Sequence, residues 1–214
     1  MVREEQDIPN WILDEFGRFS LKSARTFFLE PGVLYGWGKF IWSSSIMPSK
    51  TLVLWKFFHG RLPIDQHIQN KGLHICSMCT LCKKHEKSIQ HLFFECYNAL
   101  HIWSWVRQIF LTFHFSIKDD LLSFIKSDGS PLVKLINLVV VTFSIWMIWR
   151  MGNYARFQDK IGVSRAISVI KDLTCPVEKS SKASMKNDML DFNMIKFFDI
   201  NTRSGKVLRP FPVR

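Results

Sequence analysis

Cys76-Ser-Met-Cys79-Thr-Leu-Cys82-Lys-Lys-His85-Glu86-Lys-Ser-Ile-Gln-His91-Leu-Phe-Phe-Glu-Cys96 decides how the chain is read, because four of its five cysteines fall in this stretch. A Cys-x2-Cys turn offers two thiolates to one ion. A His-x4-Cys segment adds an imidazole and a third thiolate. Zinc takes four such ligands in a tetrahedron. A short knuckle supplies the first pair, and the start of a helix supplies the second. Spacing alone leaves the first pair open, since Cys76/Cys79 and Cys79/Cys82 both fit. The alternatives to a metal are reduced core cysteines or two disulfides. Met1–Pro9 carries acidic charge and no apolar run, so no signal peptide is expected. Disulfides then become the weaker alternative, and an intracellular protein, nuclear or cytoplasmic, is expected.

The 214 residues allow one or two domains, and a hydrophobic content of 47% is ample for a core. Nineteen Phe and eight Trp make it rich in aromatics. The formal charge of +11 fits either a nucleic-acid partner or a basic solvated surface.

Periodicity predicts a mainly α fold. Gly17 suits a tight turn between two extended pieces, and Ser20 or Ser23 can cap a helix running to Phe28 or Leu29. Residues 51–59 predict a helix with Leu52, Val53, Trp55, Phe57 and Phe58 in a buried stripe, stopped by Gly60. A second short helix is predicted over Ile64–Asn70, with Asp65 as its cap. Residues 93–110 predict another, burying Leu100, Trp103, Val106, Ile109 and Phe110. Asp119-Asp120 is placed to cap a following helix rather than to hold a metal. His101 and His114 have no partner at ligand spacing, and Cys175 lies outside the cluster. Leu132–Arg150 is the most apolar stretch. It falls short of the about 20 apolar residues of a membrane span and contains Asn137, Thr142 and Ser144, so a buried core helix is expected. Ser164–Leu173 predicts an amphipathic helix, residues 178–187 a flexible linker, and Asp191–Phe198 an apolar segment with no obvious partner.

Catalysis is not expected. No Tyr/Phe-x-Asp-Asp turn, glycine-rich phosphate loop or Gly-x-Ser-x-Gly elbow is present, and the last sixty residues lack strands to hold converging carboxylates. A catalytic zinc keeps an open position, whereas three cysteines and a histidine close all four.

Residues 72–103 resemble the zinc-binding module of plant non-LTR (LINE-type) retrotransposon reverse transcriptases. The resemblance is carried by Cys79-Thr-Leu-Cys82, Ser88-Ile-Gln-His91-Leu-Phe-Phe-Glu-Cys96 and Trp103. Gly17–Ala24, Trp42, Pro48, Lys50, Trp55, His59, Gly60, Leu62 and Pro63 fit the same pattern. So does Ile145–Asn153 with Phe157, although Gly152 stands where the family usually has arginine, so fraying is expected there. Lys87 stands where the family usually has an acid.

The resemblance implies that Cys79, Cys82, His91 and Cys96 bind a structural Zn2+ and that Cys76 is a spare thiol. In the parent elements a polymerase precedes the module and a ribonuclease H domain follows. The expected organisation is a zinc-binding module at 10–110, a helical extension at 111–160, and a linker with a flexible basic tail at 161–214. The expected function is a non-catalytic structural module touching RNA or DNA weakly and nonspecifically, with no membrane and no small-molecule substrate. The other classes are a protein-interaction or scaffold fragment and a gene remnant without selected activity. One geometric demand follows from the ligand set. Five residues on a regular α-helix turn His91 and Cys96 apart by about 140°, so the backbone is expected to leave regular helix between them.

Overall fold

The computed structural model describes residues 10–12, 14–28, 37–65, 69–72, 74–75, 77–110, 113–157, 160–180 and 189–198. The chain divides into two units at residues 36 and 37. Among the described residues the structure is helical, without strands.

In the first unit, α1 spans Leu21–Phe28. Ser20 is its cap, its hydroxyl accepting from the Ser23 amide at 3.0 Å. The two extended pieces expected around Gly17 are instead a compact loop. The Trp11 amide donates to the Gly17 carbonyl at 2.9 Å, and Gly17 takes φ +66°. Trp11 lies edge-on to Phe19 and donates its indole N–H to Ser23 Oγ at 2.9 Å.

The second unit carries α2 (Gly38–Ile41), α3 (Pro48–Phe58), a π-helical turn (His91–Glu95), α4 (Tyr97–Arg107), α5 (Lys118–Lys126), α6 (Pro131–Tyr154), α7 (Val163–Ser180) and α8 (Met189–Phe198). α6 is the axis: α3, the π turn, α4, α5, α7 and α8 all pack on it. Of its 24 residues, 16 are buried, as a helix that is apolar all round requires. Among the described residues it is the one helix long and apolar enough to cross a membrane, and most of that window is buried inside the fold. Some of its polar groups are satisfied locally, while Asn137 Oδ1, Ser144 Oγ and Trp149 Nε1 have no hydrogen-bond partner among the described residues. Asn137 donates to the Phe124 carbonyl and Ser127 Oγ, and Thr142 donates to the Leu138 carbonyl. Ser130 caps it, accepting from the Val133 amide at 3.1 Å and donating to Asp191 of α8.

α3 ends as Gly60 foretells. The Arg61 amide donates to Lys56 and the Gly60 amide to Phe57, a Schellman closure with Gly60 at φ +62°. Two stripes are rotated from expectation. α3 buries Thr51, Val53, Leu54 and Phe57, leaving Leu52 42% exposed. α4 begins at Tyr97 rather than Phe93 and buries Ala99, Ile102, Trp103 and Val106, leaving Leu100 46% exposed. Asp120 caps α5 by accepting from the Ser116 and Ile117 amides at 2.7 and 2.9 Å.

The part of the chain expected as linker and tail contains two packed helices. α7 runs to Ser180, and α8 buries Met194 and Phe198. Cys175 donates to the Phe198 carbonyl at 2.7 Å and does not join the group of Cys79, Cys82, His91 and Cys96. Residues 181–188 and 199–214 lie outside the described residues, as do 66–68 of the predicted short helix, where Asp65 and Gln69 are helical.

Candidate metal centre

Two backbone devices aim the four candidate ligands. The first is the knuckle. Its hydrogen bonds span Cys79–His85. The Cys79 amide donates to the His85 carbonyl and the Lys83 amide to the Cys79 carbonyl, both at 2.8 Å. Lys83 takes φ +55°, the left-handed residue that closes the turn. Inside this loop the Leu81 and Cys82 amides point at the Cys79 sulfur. N–H groups aimed at a sulfur favour its thiolate form.

The second device is the π turn. Ser88 Oγ accepts from the His91 amide at 2.9 Å and starts it. The Cys96 amide then donates to the His91 carbonyl at 2.7 Å, an i→i+5 bond. One extra residue in the turn cancels most of the rotation that would have separated His91 from Cys96. Cys96 itself is extended, at φ −62° and ψ 131°, and the regular helix starts at the next residue. Leu92, Phe93 and Phe94 anchor the turn in the core. The Trp103 indole donates to the Phe93 carbonyl at 2.6 Å.

Cys79 Sγ, Cys82 Sγ, a nitrogen of His91 and Cys96 Sγ thereby lie within 4.8 Å of one another. Cys79 and Cys96 sulfurs are 3.9 Å apart, and Cys82 Sγ is 3.3 Å from His91 Nε2. A tetrahedral zinc, with Zn–S about 2.3 Å and Zn–N about 2.0–2.1 Å, sets ligand–ligand spacings of about 3.5–3.8 Å. The donor set therefore fits zinc in both chemistry and size. Nε2 faces the Cys82 sulfur, while Nδ1 lies 3.9 Å from the Glu95 carboxylate, beyond direct hydrogen-bonding reach. Cys79, Cys96 and His91 are buried and Cys82 is half-buried. The hydrogen bond to Cys96, then burial, pushes Cys79 up to about 12, and the bond from Cys79, aided by the Asn98 amide, brings Cys96 down to about 7.

The centre rests on α6. Thr80 Oγ1 donates to the Gly152 carbonyl at 2.8 Å, and Leu92 lies over the same glycine. Gly152 is buried in the last turn of α6, two residues before the helix ends at Tyr154. Beyond it, Arg156 pairs with the buried Asp65 at 2.5 Å, and Asp65 accepts from Ser77 Oγ at 3.5 Å. Lys87 is buried against these groups. Desolvation, then the Arg156 charge, holds it below the usual lysine range. This clasp joins positions 91 residues apart, and no local spacing announces it.

Residues 19–103 match the family described as zinc-binding in reverse transcriptase. The matched span contains the knuckle, the π turn and all four converging residues, and this supports the domain family inferred from the motif. No curated protein and no solved structure matches the chain. α6, with Gly152 and Arg156, lies beyond the matched span yet forms the floor of the centre. Cys76 lies outside the described residues. His101 packs against Tyr97, with ring centroids 4.3 Å apart. Asp119 and Asp120 sit in the first turn of α5.

Proposed function

We propose that this chain is a non-catalytic, structural zinc-binding module derived from a plant LINE-type retrotransposon reverse transcriptase, and that it touches RNA or DNA weakly and without sequence preference. The observation that carries the structural role is the closed donor set. Three sulfurs and one imidazole, held in a folded core, leave no position for a substrate or a reactive water. The +11 charge supports the nucleic-acid contact. The test pairs zinc content of the purified protein with RNA and DNA binding across a salt series. One zinc per chain and binding that falls steeply with salt support the proposal. A metal-free folded protein, or salt-insensitive sequence-specific binding, contradicts it.

A second reading is a protein-interaction or scaffold module. The exposed Ile12, Phe16, Phe19 and Leu21 of the first unit favour it. Zinc binding with no affinity for either nucleic acid would select this reading.

A further inference from the structure

Trp146, Arg150 and Tyr154 follow one another on α6 at four-residue intervals, and so share one stripe of the helix. Lys50 of α3 joins them, with Nζ 4.1 Å from the centroid of the Trp146 ring. The Arg150 guanidinium lies 5.1 Å from the same ring and 5.0 Å from the Tyr154 ring. It also donates to Tyr154 Oη at 3.1 Å. Two cations are thus held against one indole, and a phenol flanks the second.

Among the described residues neither cation meets a carboxylate. Among the described residues the ion pairs are Arg156–Asp65 and His91–Glu95. The Lys50 ammonium is held below its usual range first by burial and then by the charge of Arg150. Packing explains the apolar side of α6, which Ile145, Ile148 and Gly152 bury. It does not explain two like charges gathered on aromatic faces without an anion. Aromatic rings orient the cations and lower the cost of partly desolvating them, but do not neutralise them. A phosphate does both. Lys50, Trp146 and Arg150 are half-buried, and Tyr154 is 38% exposed, so the groups remain reachable from solvent.

We propose that Lys50, Trp146, Arg150 and Tyr154 form a binding site for single-stranded RNA or DNA. Phosphates of the strand neutralise Lys50 and Arg150, and a base stacks on the part of the Tyr154 ring that Arg150 does not cover. A single strand is favoured over a duplex because stacking on a side chain needs an unpaired base. This site rests on the nucleic-acid contact proposed above and assigns it a place.

The test uses the full zinc-loaded chain and fluorescence anisotropy with labelled oligouridylate, oligothymidylate and a duplex of equal length, over a salt series. For Lys50→Gln with Arg150→Gln, the slope of log K against log salt falls by about 1.4 units, about 0.7 per phosphate on a single strand. Tyr154→Ala weakens binding roughly 5- to 100-fold with little change of slope, and Tyr154→Phe binds as the unaltered chain. The same charge change at the exposed Lys134 and Lys160 is the comparison. If it costs as much as the change at Lys50 and Arg150, the site is refuted while the nucleic-acid reading stands. Duplex binding as tight as single-strand binding, with Tyr154→Ala silent, also refutes it. Losses on anionic phospholipid vesicles but not on oligonucleotides would assign the patch to a membrane surface and overturn the proposal. If the unaltered chain binds no strand, both the reading and the site fall. Should the double variant not fold, the Tyr154→Ala and Tyr154→Phe pair decides alone, equal binding by the two overturning the site.

Discussion

Gly152 is where the zinc knuckle and α6 touch, and Gly152→Ala measures that contact. A glycine inside a helix costs about 1 kcal/mol relative to alanine. The new Cβ would lie 3.5 Å and 3.9 Å from the two δ carbons of Leu92 and 3.9 Å from Thr80 Oγ1. These are ordinary contact distances, so the methyl enters without a clash. The Gly152 carbonyl keeps the hydrogen bond from Thr80. The variant should therefore gain about 1 kcal/mol. For a chain of this size that raises the thermal midpoint by about 2–4 °C. Gly152→Leu pushes further toward Leu92 and Thr80 and should cost about 1–3 kcal/mol through overpacking. Circular dichroism melts of the zinc-loaded proteins, with zinc content measured alongside, give both values. A lowered midpoint for Gly152→Ala, or an unchanged one for Gly152→Leu, would refute the packing of the knuckle on α6.

Four further outcomes are expected. Cys82→Ser releases the metal and melts the knuckle, because zinc binding in such a site is folding energy. Cys76→Ser keeps the zinc, and the reverse pattern by elemental analysis would move the metal to the Cys76/Cys79 pair. Trp103→Phe replaces the indole by a smaller ring without its N–H, leaving the buried Phe93 carbonyl without its donor and a gap in the core. It should lose about 1–3 kcal/mol in urea titration, and an unchanged midpoint would show that the π turn does not depend on this bond. Lys87 sits below 10.5 in the folded state, chiefly through desolvation, so the unfolded chain binds its proton more readily. Its burden on the fold is present at neutral pH and relieved as pH climbs toward 10.5. Lys87→Met should stabilise the protein at pH about 7 and flatten that alkaline rise. Identical pH profiles for the two proteins would contradict this.

Zinc chemistry and spacing narrowed the ligands to the clustered cysteines and His91 but left the first pair open; the resemblance named Cys79, Cys82, His91 and Cys96, and these four side chains do come together. The five-residue gap between His91 and Cys96 even demanded a local break in the helix. The π turn supplies it by an i→i+5 bond. Helix existence was legible for the same stretches that carry strong apolar content, α3, α4 and α6. Rotational phase was not. Leu52 and Leu100 are apolar residues on the solvent side of helices whose buried faces are fixed by α6, and α6 is distant in sequence. Gly152 read only as a weak helix residue because local propensity cannot show that the knuckle, through Thr80 and Leu92, meets α6 at this position. The Arg156–Asp65 clasp and the packing of α8 were invisible for the same reason. Their partners lie far along the chain and only the fold brings them near.

The central claim is a structural zinc held by Cys79, Cys82, His91 and Cys96. X-ray absorption at the zinc edge of the purified protein tests it most directly. The expected spectrum has three sulfurs at about 2.3 Å and one nitrogen at about 2.0–2.1 Å, with one zinc per chain. Four sulfurs would put Cys76 in place of His91, and a shell dominated by oxygen would mean that these four side chains do not hold the metal.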